Sequence, residues 1–342
     1  FATTDSLLTV SITAVDTSAT YVFAGISGYS GTDRATCTEI LCQLIQTDSL
    51  RLSRGGTGNV VTVGWFVSEF SSGVFVQHAT AFVTADTLNI LITSVDTSKS
   101  FILGSQKIDE TTYTTDDYTH SKFLSPTSIQ LVTSGTNVPP GIYGYQIVEF
   151  SGCKVQAGVS RMAATTSAID VSLTAVDTTA SAVIYDLQTN HGSSWSGSAA
   201  MDGQLTSPTN LRLFRSRTSF IIEASWFVIE HTDGTVVQMG TAYLDLATTA
   251  SITITAVDTT RTVGWLSGAW QRGGSNNQGA SAAPRAWWGR VALSSPTLIE
   301  VSRAGAVNTS NFAWYVVQYN TAGAAAVAQD SVDVGSYITM GW

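Results

Sequence analysis

Four short stretches of the chain alternate aliphatic residues with small polar ones. Val10 and Ile12, Ile90 and Ile92, Val171 and Leu173, and Ile252 and Ile254 share one side of each stretch, with mostly Thr, Ser or Asn between them. A two-residue period is the mark of a strand with one buried face. Each stretch runs into the same tripeptide, at Val15-Asp16-Thr17, Val95-Asp96-Thr97, Val176-Asp177-Thr178 and Val257-Asp258-Thr259. An Asp there can bond back to the backbone two residues on, closing the strand with an Asx-type turn.

The four Asp residues are 80, 81 and 81 apart, and other landmarks recur in the same order within each copy. A Ser-Pro-Thr turn recurs at Ser125-Pro126-Thr127, Ser207-Pro208-Thr209 and Ser295-Pro296-Thr297, with Gln46-Thr47-Asp48 in the first copy. An aromatic run follows each: Trp65-Phe66-Val67-Ser68-Glu69, Tyr145-Gln146-Ile147-Val148-Glu149, Trp226-Phe227-Val228-Ile229-Glu230 and Trp314-Tyr315-Val316-Val317-Gln318. These runs are apolar on both faces, which predicts central or covered strands, with Trp65, Tyr145, Trp226 and Trp314 equivalent and buried. Val-Gln comes next at Val76-Gln77, Val155-Gln156 and Val237-Gln238, and the intervening Ser72-Gly73 and Asp233-Gly234 predict a hairpin.

No segment carries a 3.6-residue period. Self-similarity at this spacing predicts an all-β chain of four tandem β-sandwich-like modules of about 80 residues. A jelly-roll or small barrel module is the alternative. The modules span 1–84, 85–165, 166–247 and 248–342, the last with a longer loop and a terminal strand.

The strand before Val-Asp-Thr opens the chain at Leu8 to Ile12, and a fifth copy is expected at Tyr337 to Trp342. Four bodies with five such strands leave one in surplus. Either each end is closed within its own subunit, or a terminal strand pairs with the next subunit, burying Val10 and Ile12, or Ile338, Met340 and Trp342, in the partner.

Hydrophobic residues make up 44% of the chain and charged ones 12%, half the usual share of about 25%. That excludes a disordered tail and suits a hydroxyl-rich surface or one covered by neighbours. A net charge of −9 with 16 basic residues argues against nucleic acid as partner. With no apolar run of 18 residues, no membrane-spanning helix is expected. The opening Phe1, in place of Met, fits a processed product. Cys37, Cys42 and Cys153 make neither a disulfide framework nor a metal site. Cys37 and Cys42 read as small buried residues, and Cys153, in Ser151-Gly152-Cys153-Lys154, as an exposed thiol.

Features present in every copy are most economically scaffold, so Glu69, Glu149, Glu230 and the Asp of Val-Asp-Thr are expected to be structural. A pairing of that Glu with Arg54, Arg215 and Arg303 fails in copy two, which has Thr133 with Glu149, and in copy four, which has Arg303 with Gln318. Function is expected where copies differ, between Val-Asp-Thr and Ser-Pro-Thr. In copy two this segment holds Asp109, Glu110, Asp116, Asp117 and His120, which matches no EF-hand spacing and reads as a solvated acidic loop more than a Ca²⁺ site. In copy four it holds Trp265, Trp270, Gln271, Arg272, Asn276, Asn277, Arg285, Trp287, Trp288 and Arg290. Aromatic faces beside amide and guanidinium donors suit a protein interface, packing within the module, or carbohydrate. His78, His120, His191 and His231 are scattered, and no nucleophile triad, HExxH or phosphate-cradling loop can be assembled. No enzyme activity, cofactor or metal is expected.

The Ser/Thr-rich alternating strands, the Trp-Phe-Val-x-Glu run and the tandem layout resemble multi-repeat all-β structural proteins of phage virions and microbial surface fibres. The resemblance implies a virion or extracellular location. It also implies a subunit that assembles with itself, and with other virion or surface proteins, into an appendage or filament. The second expectation is an adhesin or lectin-like protein that shows variable loops, to a glycan or receptor, on a repeated scaffold.

Overall fold

The computed structural model of the chain describes residues 1–30, 39–109, 118–134, 141–190, 201–215, 218, 220–245, 247–271, 289–303, 310–320 and 324–332. Among them are 24 strands and no α-helix, and no helix is long and apolar enough to cross a membrane. Eight small antiparallel sheets pair into four sandwich-like modules.

The first copy contributes β1 (Leu7–Ser11), β2 (Thr20–Ser30), β3 (Leu41–Gln46), β4 (Ser49–Ser53) and β5 (Val60–Phe70). An outer sheet runs β1-β4-β3, and β2 pairs with β5 in an inner sheet. Alternation in β4 sends Leu50 and Leu52 inward, and β1 sets Val10 and Leu8 opposite them. From the facing sheet come Val22, Val61, Val63, Trp65 and Val67, and Phe1 joins them in the same core. Trp65, Tyr145, Trp226 and Trp314 are all buried, at 5–7% exposure. Their strands are central in the inner sheets and buried on both faces, which is why the aromatic runs carry no polar alternation.

The next strand leaves its own module. β6 (Val74–Val83) follows β5 but pairs with β11 (Gly141–Phe150) of the second copy, beside β8 (Ser100–Lys107). β12 (Cys153–Met162) pairs in the same way with β17 (Ile222–His231), next to β14 (Ser181–Thr189). β18 (Val236–Leu244) pairs with β23 (Ser310–Gln318), next to β20 (Thr262–Gln271). The expected hairpin is therefore absent: the glycine turns, with Gly73 at φ 77° and Gly234 at φ 92°, hand the chain to the neighbouring sheet. A short turn suffices because the turns are neighbours themselves: Ser151 N donates to Gly73 O, and Thr232 N to Gly152 O.

The circle closes within the chain. β24 (Ala324–Val332) pairs with β5, setting Ala328 opposite Val67, the register position that Gln77 takes opposite Ile147. Four strands are given and four received. Each sheet pair thus lags the sequence repeat by one strand, beginning at β6, β12 and β18 where the repeat landmarks place 85, 166 and 248. β1 is paired with β4, and Ile12 N donates to Asp48 O, so Val10 and Ile12 are engaged inside their own module. Among the described residues the other edge of β1 is unpaired. Ile338, Met340 and Trp342 lie outside the described residues.

A second interlock follows the same direction. The third outer strand of each copy packs on the inner sheet of the next: β3 on β8 and β11, β9 (His120–Ser125) on β14 and β17, β15 (Met201–Ser207) on β20 and β23, and β21 (Gly289–Ser295) on β2 and β5. The outer sheets of copies two, three and four are completed by β7 (Thr87–Leu91) with β10 (Ser128–Val132), β13 (Ala168–Ser172) with β16 (Asn210–Arg215), and β19 (Thr249–Thr253) with β22 (Leu298–Arg303).

Candidate functional site

The residues repeated in every copy are used by the frame. Asp16, Asp96, Asp177 and Asp258 each accept from the hydroxyl and amide two residues on. Those hydroxyl and then amide bonds hold the four carboxyls below their usual range. The backbone N–H of each of these aspartates donates to Glu69, Glu149, Glu230 or Gln318. Gln318 serves because the bond needs an acceptor oxygen and no charge. Buried Arg54, Arg215 and Arg303 tie down the segment before the first strand through its carbonyls, as in Arg215 Nε to Thr166 O at 2.9 Å and Nη2 to Ala163 O at 2.6 Å. In copy two Thr133 holds Tyr118 O. The Gln of Val-Gln exchanges two bonds with a Thr of the next copy: Gln77 with Thr93, Gln156 with Thr174, Gln238 with Thr255.

The four inner sheets face one axis, and equivalent residues form layers along it. At one end, Phe70, Phe150, His231 and Tyr319 form a circle of four rings. Neighbouring centroids lie 5.4, 5.4, 5.8 and 5.0 Å apart, at 77° to 87°. Edge-to-face pairing suits the ring quadrupoles, and the circle plugs the axis. The Tyr21 and Tyr319 hydroxyls bond beside it. Above lies a layer of Phe23, Leu103, Ile184 and Trp265, seven residues beyond each aspartate of Val-Asp-Thr. Trp265 is fixed by stacking on Tyr315 and by Nε1–H donation to Val183 O.

On that layer rests a cavity of about 250 Å³, lined by Phe23, Trp265, Ile184, Gly104, Asp186 and Arg290 among others. It adjoins an outer compartment of about 370 Å³ that shares Gly25, Gly104, Tyr185, Asp186 and Gly289 with it. Asp186 Oδ2 accepts from Tyr143 Oη at 2.6 Å and Ser121 Oγ at 3.0 Å, both from the preceding copy. Burial pushes the Asp186 carboxyl up to about 6 against these two bonds. At the outer compartment, desolvation pushes Glu39 up to about 7, against a bond from Gln106. Arg290, from copy four, lies against Gly25 and Gly64 and donates through Nε to Ser302 Oγ at 3.3 Å. Gly104 must be glycine, since a Cβ there would sit 1.8 Å from Tyr143 Oη.

Of the residues singled out in the sequence, the structure brings Trp265 and Arg290 together in this cavity. Trp270 is in β20 by its backbone, opposite Asn311. Arg272, Arg285, Trp287 and Trp288 lie outside the described residues, as do Cys37, Glu110, Asp116, Asp117 and His191. His120 is no loop ligand: it is fully buried, and burial pushes it down to about 4. Among the described residues no cluster of His, Cys, Asp or Glu could hold a metal ion. Cys42 is buried, as expected. The exposed thiol expected at Cys153 is a correction, because Cys153 opens β12 at 2% exposure, its Sγ donating to Phe150 O, and burial pushes it up to about 12. Its place in a turn suggested the surface, whereas Gly152 of that turn lies against the Phe150 ring of the axial circle.

Asp186, Tyr143, Ser121 and Glu39 were missed. The available signal was Asp186 itself, a carboxylate where the other copies have Gly25, Ser105 and Ser267. No protein-family model matches the chain, and no curated protein is significantly similar to it.

Proposed function

We propose that the chain is a non-catalytic binding scaffold of a virion appendage or extracellular surface structure, a one-chain ring whose axial cavity opens among the residues that flank its variable segments. One observation carries this. Ile40, Thr119, Leu187 and Gly289, each adjoining or near one of the four segments where the copies differ, line the same outer compartment. The divergent segments thus start or finish around a single opening, while the repeated Asp, Glu, Arg and Gln residues are occupied in holding the frame. Sites on variable loops carried by a rigid scaffold are a common arrangement for binding. Closure of the ring by its own strand favours a discrete particle.

Sedimentation and negative-stain imaging of the purified chain test it. Discrete particles of the 36.1 kDa chain or of a small oligomer are expected. Replacing Trp287 and Trp288 with Ala should abolish attachment to the target surface without lowering the melting temperature. Long regular polymers would instead favour the second reading, a self-assembling filament subunit. Its support is the outer edge of β1 and of β7, unpaired among the described residues, where Leu7 and Leu91 are 54% and 86% exposed.

A further inference from the structure

We infer that the inner compartment of the axial cavity binds the terminal sugar residue of a glycan. This rests on the reading of the chain as a binding scaffold and names a ligand class for it. The compartment is blind, because the Phe70, Phe150, His231 and Tyr319 circle closes the axis beneath its floor. A ligand therefore enters from one side and ends there. At about 250 Å³ the space would hold roughly eight waters at about 30 Å³ each. It falls below the usual size of sites for drug-sized ligands, about 300 Å³ upward, and suits a single six-membered ring.

The lining chooses among ligands of that size. Both protein donors to Asp186 fall on Oδ2, and Oδ1 accepts no hydrogen bond among the described residues. A carboxylate is an acceptor with room for several donors, so Asp186 presents a fixed acceptor to whatever fills the cavity. Arg290 lines the same space from a different copy and is a donor only. A purely apolar guest would leave Asp186 desolvated without compensation. A bare cation would meet Arg290 and a bare anion would meet Asp186. A neutral polyol gives the Asp186 acceptor a hydroxyl donor and sets no charge against either residue. The Phe23 and Trp265 rings, 5.9 Å apart, supply an apolar floor for its C–H face. The frame holds the acceptor still, since Asp186 is tied to the second copy by Tyr143 and Ser121 and Trp265 is tied to the third by Val183.

The test uses the intact chain and free methyl glycosides of neutral hexoses, 6-deoxyhexoses and N-acetylhexosamines, with tetramethylammonium as a cationic probe. Saturation transfer should light up at least one glycoside, and its dissociation constant should rise at least tenfold in Asp186→Asn. Should Asp186→Asn misfold, the same glycoside added to the ¹³C-labelled intact chain should move the Asp186 carboxyl resonance. Loss of binding in the tryptophan variant with retention in Asp186→Asn would overturn the cavity site and leave the scaffold reading standing. No transfer to any glycoside at millimolar concentration, a Asp186 resonance that does not move, or binding of tetramethylammonium alone would each overturn the cavity site.

Discussion

Replacing His231 with Phe should make the protein more resistant to acid. His231 is the one readily titrating member of the axial circle, in the place that Phe70 and Phe150 fill in the first two copies. It is 8% exposed, its Nδ1 has no hydrogen-bond partner among the described residues, and burial pushes its pKa down to about 4, with Asp233 pulling weakly the other way. A histidine whose folded value lies below its unfolded value of 6.5 binds a proton more readily in the unfolded chain. Stability is therefore lost as pH falls from about 6.5 toward 4, at up to about 1.4 kcal/mol per pH unit, or about 2.5 kcal/mol by pH 4.5. His120, pushed down to about 4, contributes in the same direction, while Asp186 and Glu39, pushed up to about 6 and about 7, contribute in the opposite one. Comparing the variant with the parent cancels these three. Urea unfolding at pH 8 and pH 4.5 should show His231→Phe gaining about 2.5 kcal/mol relative to the parent at the lower pH, and NMR titration of the His231 ring should find a midpoint below 5. An equal difference at both pH values would show that His231 is open to solvent and that the aromatic plug is not closed.

Two further outcomes concern the frame. Arg215→Met keeps the volume of a fully buried side chain but strands the Thr166 and Ala163 carbonyls, and should cost about 2–4 kcal/mol by chemical denaturation. A loss under about 0.5 kcal/mol would mean that those carbonyls find other donors. Deleting residues 324–342 removes β24 and should leave the edge of β5 from Val63 to Phe70 unpaired, producing self-association and faster amide exchange there. A monomer with unchanged protection at those amides would refute intramolecular closure.

The strands, their faces and the fourfold repetition were legible in the sequence because each rests on local chemistry. Alternation around Leu50 and Leu52, the Asx turn at Asp16 and the doubly apolar run from Trp65 to Val67 all follow from residues a few positions apart. Which strand pairs with which does not. Ser72-Gly73 has the length and the glycine of a hairpin turn, and nothing local distinguishes a return to β5 from a step to β11. The distinction lies at long range, in the Gln77 to Thr93 and Gln156 to Thr174 bonds that join one copy to the next. The fourth donated strand was missed for a related reason: β24 has Val327-Ala328 where the others have Val-Gln, so the motif that marked the strand is absent where the ring closes.

The same logic separates frame from site. A feature repeated four times around an axis can serve each copy equally, as the Asp turns and their Glu or Gln318 acceptors do, but a ligand on the axis meets all four copies at once and needs no more than one acceptor. Departures from the repeat near the axis are then more informative than the repeat itself. Asp186 among Gly25, Ser105 and Ser267 is one such departure, and Arg290, against Gly25 and Gly64 of the first copy, supplies the donor at the joint where the ring closes. Four identical copies would have placed four carboxylates around one cavity, where mutual repulsion would drive them to protonate. Divergence of the copies is what permits one fixed acceptor and one fixed donor to share an enclosed space, and it is a benefit that joining four repeats in a single chain gives over assembling four separate ones.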